Sequence, residues 1–190
     1  MINNLEKILS YLKFPDEKSF YIVHIICRKK DNVNGQYITT FYIRSQEELI
    51  NQFSIITKIC DAVNARAYIL LDVKNTDKLL LQTSENLGKI LNSNNYSTRR
   101  VFGLIAGAAA DIKVDERKLG MLDIDNKDAS IDDFPSNFLC IPTVSGLHVV
   151  ASRRELREFL FTKNLDAVDI YKKEPLILLY YNNECKNTNS

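Results

Sequence analysis

Short apolar runs rich in β-branched and aromatic residues alternate along this chain with segments of helical period, and that alternation constrains the fold more than any other feature. FYIVHIIC (20–27) and YITTFYI (37–43) flank DNVNGQ (31–36), whose turn residues predict a β-hairpin. Ser45 opens an S-x-x-E capping box with Glu48, and Leu49, Phe53, Ile56, Cys60 and Val63 then fall on one helical face. AYILLDV (67–73) predicts a strand, followed by a helix capped by Asn75 or Thr76 and carrying Leu80, Leu87 and Leu91. Ahead of all this, Leu5, Ile8, Leu9 and Leu12 predict a short opening helix, with Pro15 close enough to stop it.

A polar loop, NSNNYST (92–98), marks the boundary with a second half. VFGLIAGAAADI (101–112) is compatible with a helix or a buried loop. LGMLDID (119–125) predicts a buried strand that ends in carboxylates, and NKDASIDDFPSN (126–137) a polar connection with one helical turn. FLCIPTV (138–144) and LHVVAS (147–152) predict two strands around Ser145-Gly146, where Gly146 is expected to take positive φ in a tight turn. A helix with Leu156, Phe159 and Leu160 on one face follows. DAVDI (166–170) and LILLYY (176–181), joined by YKKEP, then predict two more strands, with 182–190 a frayed tail. The expected class is therefore α/β (α+β): one domain over residues 1–190, with an α/β half (1–98) and a half of order β, crossover, β-β-α-β-β (99–181).

At 190 residues, with 45% hydrophobic and 26% charged side chains, the chain has the composition of a globular domain able to bury its own core. A net charge of +1 points to no partner, although a neutral total can hide a local basic groove. Cys27, Cys60, Cys140 and Cys185 form no C-x-x-C pair, and three stand in apolar runs, so buried free thiols are expected rather than zinc ligands or disulfides. Without a signal-peptide pattern at MINNLEKILSYLKF or an 18-residue apolar run, a cytoplasmic protein with no membrane partner is expected.

Chemistry concentrates in the second half. Asp123 and Asp125 stand two apart at a strand end, so both point to one face, where paired carboxylates suit Mg²⁺ or Mn²⁺ with its waters and substrate phosphates. The bland alternative is a solvated strand end that runs on into Asp128, Asp132 and Asp133. His148 follows Ser145-Gly146-Leu147 into an apolar strand, and with Ser145 it can meet a phosphate oxygen. A core histidine bonded to a backbone carbonyl is the competing reading, and His24 is read as core or sheet-face. Asp169, in VDI, is a candidate third carboxylate, with Asp166 the competing choice and a solvent-facing strand acid the plain alternative. Arg66 and Lys118 are candidates to meet a nucleotide's phosphates, and Arg99, Arg100 and Arg153 to meet nucleic acid, unless they are ordinary surface residues. No Gly-rich phosphate loop, G-x-S-x-G, H-E-x-x-H or G-x-G-x-x-G occurs, which removes the commoner ATPase, hydrolase, zincin and dinucleotide readings.

In order and spacing, LDID (122–125), VSGLHVV (144–150) and VDI (168–170) resemble the three motifs of the archaeo-eukaryotic primase (primase-polymerase) superfamily: a strand ending in D-x-D, small-x-His at Gly146-Leu147-His148, and a later hydrophobic-Asp. The likeness covers residues 20 to 181 in layout and about ten residues in motif. It implies an N-terminal α/β unit packed on an RRM-like sheet unit (99–181), Asp123, Asp125 and Asp169 as catalytic ligands of two divalent ions, and His148 on the phosphates of an incoming nucleotide. The implied function is a metal-dependent nucleotidyltransferase adding nucleotides from NTP or dNTP on a single-stranded or primed template, with a helicase as a further candidate partner. The size resembles that of small stand-alone phage or mobile-element versions. Absence of a zinc module or helical extension argues against de novo priming more than against nucleotide or template binding. Two alternatives stand beside it: a catalytically inactive primase-like domain binding single-stranded nucleic acid or a replication partner, and a metal-dependent nuclease or phosphodiesterase in which the same acids activate water.

Overall fold

The computed structural model describes residues 1–29, 35–93, 104–112, 118–163 and 175–182. They form a mixed α+β structure with two antiparallel sheets. In chain order the elements are β1 (Ile2–Asn3), α1 (Leu5–Tyr11), β2 (Ser19–Cys27), β3 (Gln36–Ile43), α2 (Gln46–Val63), β4 (Arg66–Asn75), α3 (Thr76–Asn92), α4 (Leu104–Asp111), β5 (Leu119–Ile124), a 3₁₀ turn (Ile131–Asp133), β6 (Leu139–Pro142), β7 (Leu147–Ser152), α5 (Arg153–Thr162) and β8 (Leu176–Tyr181).

Five strands make the larger sheet, in the order β1-β8-β4-β2-β3, and three make the smaller, β5-β7-β6. The β2–β3 hairpin expected from the sequence forms in antiparallel register, Tyr21 opposite Ile43 and Cys27 opposite Gln36. β8 departs from expectation. LILLYY, grouped with the second half on sequence, lies between β1 and β4 in the larger sheet. Its unbroken apolar character suits that interior slot, since a strand with neighbours on both sides and packing on both faces has no use for a polar alternation.

Side-chain alternation divides the larger sheet into two faces. Tyr21, Val23 and Ile25 of β2 with Ala67, Ile69 and Leu71 of β4 face a core closed by Ile8, by Leu49, Ile56 and Cys60 of α2, and by Leu119, Met121, Ile141 and Val150 of the smaller sheet. Burial of an isoleucine or leucine here contributes about 2 kcal/mol. The other face of the smaller sheet, with Leu122, Cys140, Leu147 and Val149, packs on Leu156 and Leu160 of α5. Cys27, Cys60 and Cys140 are buried free thiols, and burial pushes the Cys60 thiol up to about 12.

Local chemistry sets the helix ends. Ser45 caps α2 by accepting from the Glu48 N–H, while the Glu48 carboxylate accepts from Arg44 instead of closing the box. Asn75 caps α3 through the N–H groups of Asp77 and Lys78. Ser152 and Glu155 form a full capping box at α5. Of the segment left open between helix and loop, residues 104–111 are helix, with Ala108 and Ala109 buried and Ala109 against Phe20 and Ile22. α3 forms where its period places it, yet Leu80, Leu87 and Leu91 are largely exposed. Among the described residues no helix is long and apolar enough to cross a membrane.

Candidate functional site

The site develops where β5 and β7 run out of apolar sequence. Leu119, Met121 and Leu122 are buried, and the strand then turns polar at Asp123, whose cross-strand neighbour on β7 is His148. His148 Nε2 lies 3.4 Å from Asp123 Oδ1, longer than an ordinary hydrogen bond of about 2.9 Å but within ion-pair range when the imidazole is protonated. His148 is 9% exposed, whereas the Asp123 side chain is 35% exposed, so the imidazole forms a wall and the carboxylate reaches the opening.

Asp125 lies one residue past the strand end, where the Ser145 hydroxyl donates to its Oδ1 at 2.6 Å. The turn carrying Ser145 is held by Thr143, whose N–H donates to the Gly146 carbonyl at 2.8 Å and whose Oγ1 accepts from the Gly146 N–H at 3.1 Å. Gly146 does not take the positive φ expected of it. Glycine is needed for a different reason: a Cβ there would stand 1.8 Å from the Ile124 carbonyl oxygen and 2.8 Å from the Asn126 nitrogen. The backbone of the turn therefore lies against the acidic strand end, which is what brings Ser145 to Asp125.

The facing wall comes from the larger sheet. Arg28, Arg66, Tyr68 and Leu178 line the same cleft as Asp123, Asp125, Thr143, Ser145 and His148. Arg66 is 3% exposed, with its guanidinium 4.4 Å from the centroid of the Tyr181 ring, a cation–π placement that fixes a planar charge. Arg28 Nη1 is 3.4 Å from the Tyr68 hydroxyl. The cleft encloses about 50 Å³, room for an ion and its nearest water but not for a nucleotide, which would extend through the open mouth.

Of the candidate residues, Asp123, Asp125, Ser145, His148 and Arg66 converge on this cleft. Lys118 and Arg153 do not. The Lys118 carbonyl accepts from the Arg153 N–H, and Arg153 Nε donates to the Leu119 carbonyl, which puts both residues at the opposite end of β5, five residues or about 16 Å of strand from Asp123. Asp169, its competitor Asp166, Arg99 and Arg100 lie outside the described residues, as does the strand expected at 166–170. Among the described residues no three His, Cys, Asp or Glu side chains group as metal ligands. Arg28, Tyr68 and Thr143 were not anticipated. The signal for Arg28 was a cation directly after an apolar strand, but its relevance depends on the pairing of Ile26 with Arg66, which local sequence does not reveal.

Compared with protein-family models, curated proteins and solved structures, the chain matches none.

Proposed function

We propose that this protein is a metal-dependent nucleotidyltransferase resembling a DNA primase-polymerase, which adds nucleotides from NTP or dNTP on a nucleic-acid template. The observation that carries the reading is the charge polarity of the cleft. Carboxylates of Asp123 and Asp125 come from one sheet, and guanidinium groups of Arg28 and Arg66 from the other. A metal–triphosphate complex has the complementary polarity, cation on one side and phosphate oxygens on the other.

The donor set suits Mg²⁺ or Mn²⁺, because both acids offer hard oxygen and Ser145 takes only part of the acceptor capacity of Asp125. Asp123 and Asp125 would hold the ion, with Asp169 the expected third ligand, and a bound divalent ion stabilises charge on phosphoryl oxygens. Ser145 orients Asp125. The His148 imidazole, 3.4 Å from Asp123, would contact a phosphate oxygen held beside that acid, and Arg66, placed over the Tyr181 ring, would neutralise phosphate charge with little reorganisation.

The test is extension of a labelled primer on template with triphosphates and Mn²⁺. Wild-type protein lengthens the primer, Asp123→Ala lowers the rate by about 100-fold or more, and His148→Ala by roughly tenfold or more. A shortened strand would replace this reading with phosphodiester hydrolysis, and strand binding without turnover would replace it with a binding module.

A further inference from the structure

The second face of the five-stranded sheet is covered over Phe20 and Ile22 by Ala109 and around Tyr68 by Val144, and stays exposed along its edge strand β3. Ile22, His24 and Ile26 of β2 point to it, and their partners on β3 are Tyr42, Thr40 and Tyr37. Tyr37 and Tyr42 are five residues apart and would emerge on opposite faces of a regular strand. An irregularity in the ladder between Ile25 and Ile26 absorbs one extra β3 residue and returns Tyr37 to the face of Tyr42. Contacts agree with this: His24 Nδ1 lies 2.8 Å from the Tyr37 hydroxyl and 3.1 Å from Thr40 Oγ1. Both tyrosine rings meet their neighbours edge-on, Tyr37 against His24 and Tyr42 against Phe20, so neither is stacked flat within the protein.

Tyr37 is 50% exposed and Tyr42 39%, both on β3 at the edge of the sheet. Tyr68 pairs with His24 across β2–β4 and also lines the acidic cleft, so the aromatic face and the cleft share a residue. Exposed Arg28 and Lys29 stand at the cleft end of β2 and give that end positive charge.

We infer that this face is a stacking platform for single-stranded nucleic acid, with bases on Tyr37 and Tyr42 and the phosphate backbone directed by Arg28 toward the cleft. The inference rests on the nucleotidyl-transfer reading only for the class of partner. Exposed rings with a neighbouring cation suit bases and phosphates together, since every base has a π-face and every linkage a negative charge. From Tyr37 to Tyr42 the ladder advances four steps, about 13 Å, or roughly four nucleotides at the rise of a stacked strand.

The experiment is fluorescence anisotropy of the full chain with a labelled twelve-residue oligothymidylate in EDTA, where no ion occupies the cleft. The double variant Tyr37→Ala/Tyr42→Ala is expected to bind about tenfold or more weakly. Tyr37→Phe/Tyr42→Phe keeps the rings and stays within about twofold of wild type. Wild-type protein also prefers oligothymidylate to an abasic strand of equal length, a comparison that holds even where the alanine variant fails to fold. Equal binding of the abasic strand, or an unchanged affinity in a folded alanine variant, overturns the platform. Failure of primer extension by wild-type protein strikes the catalytic reading alone and leaves the anisotropy result standing.

Discussion

The two sheets are made from similar strands and end differently. β2 and β4 of the larger sheet have partners on both edges and are buried almost throughout, so nearly every side chain is committed to packing. β5 of the smaller sheet is as apolar for four residues and then stops being so, ending on an exposed acid beside His148. The apolar part fixes the strand to within packing tolerance, and the polar tip inherits that precision without having to stabilise anything. Arg66 makes the same point from the other side, a charge held inside the larger sheet by Ile26 and Tyr181 and presented to the smaller. The candidate site therefore falls at the seam between the two sheets, with residues of both lining one cleft.

The sharpest way to break that arrangement is Gly146→Ala. Its new methyl group meets backbone of Ile124 and Asn126, which cannot rotate away, so about 3 kcal/mol of destabilisation is expected in urea unfolding, with loss of the Ser145–Asp125 contact. Next comes Asn4→Ala. The Asn4 amide donates to the Pro142 carbonyl of β6 and the Leu178 carbonyl of β8, each at 3.0 Å, and so ties the sheets together. Removal of a buried amide serving two carbonyls is expected to cost about 2 kcal/mol. Because one core runs across both sheets, far-UV circular dichroism and tyrosine fluorescence should still report a single transition, and two transitions would show the sheets to be separable.

Smaller effects are expected at the helix that backs the site sheet. Ser152→Ala removes the cap of α5 and should cost about 1 kcal/mol at neutral pH. Hydrogen bonds from the Ser152 hydroxyl and N–H hold the Glu155 carboxyl below its usual range. A depressed carboxyl stabilises the folded state above its unfolded pKa and loses that contribution as pH falls through the folded value. The gap between wild type and Ser152→Ala should thus narrow as urea midpoints are followed from pH 6 toward pH 3. Ser45→Ala, on the larger sheet's side, should show a similar loss at neutral pH, because Ser45 likewise caps a helix N–H.

Local sequence made strands β2 to β8, the hairpin and the Ser45 and Asn75 caps readable, because each follows from an apolar run, from a period of two or 3.6, or from a side chain that bonds within four residues. It also brought Asp123, Asp125, Ser145 and His148 forward together, since a strand end, a turn and a strand start lie within 26 residues of one another. What was not legible depends on pairing at long range. That β8 inserts beside β4, more than 100 residues earlier, is set by the competition of whole strands for a buried slot. Arg28 and Tyr68 enter the site only through that sheet. Gly146 was picked out for the right position on the wrong ground, because a close approach between two backbones leaves no local mark beyond the glycine itself. Lys118 and Arg153 looked suitable by charge, yet strand direction carries them away from the acids.

The smallest predicted effect contrasts the chain's two histidines. His148 faces a carboxylate at the seam, while His24 is half-buried beside the hydroxyls of Tyr37 and Thr40. Burial lowers the His24 pKa from its ordinary value of 6.5, so the unfolded chain takes up a proton before the folded one does. Stability from this group is complete above about pH 6.5 and is lost as pH falls toward the depressed folded value. His24→Phe removes the titration and keeps a ring against Tyr37. The fall in melting temperature between pH 7 and pH 5 should therefore be shallower in His24→Phe than in wild type, with His148 present in both. An equal or steeper fall would mean that the imidazole is as well solvated as in the unfolded chain, and that the sheet is less enclosed around His24 than its contacts with Tyr37 and Thr40 require.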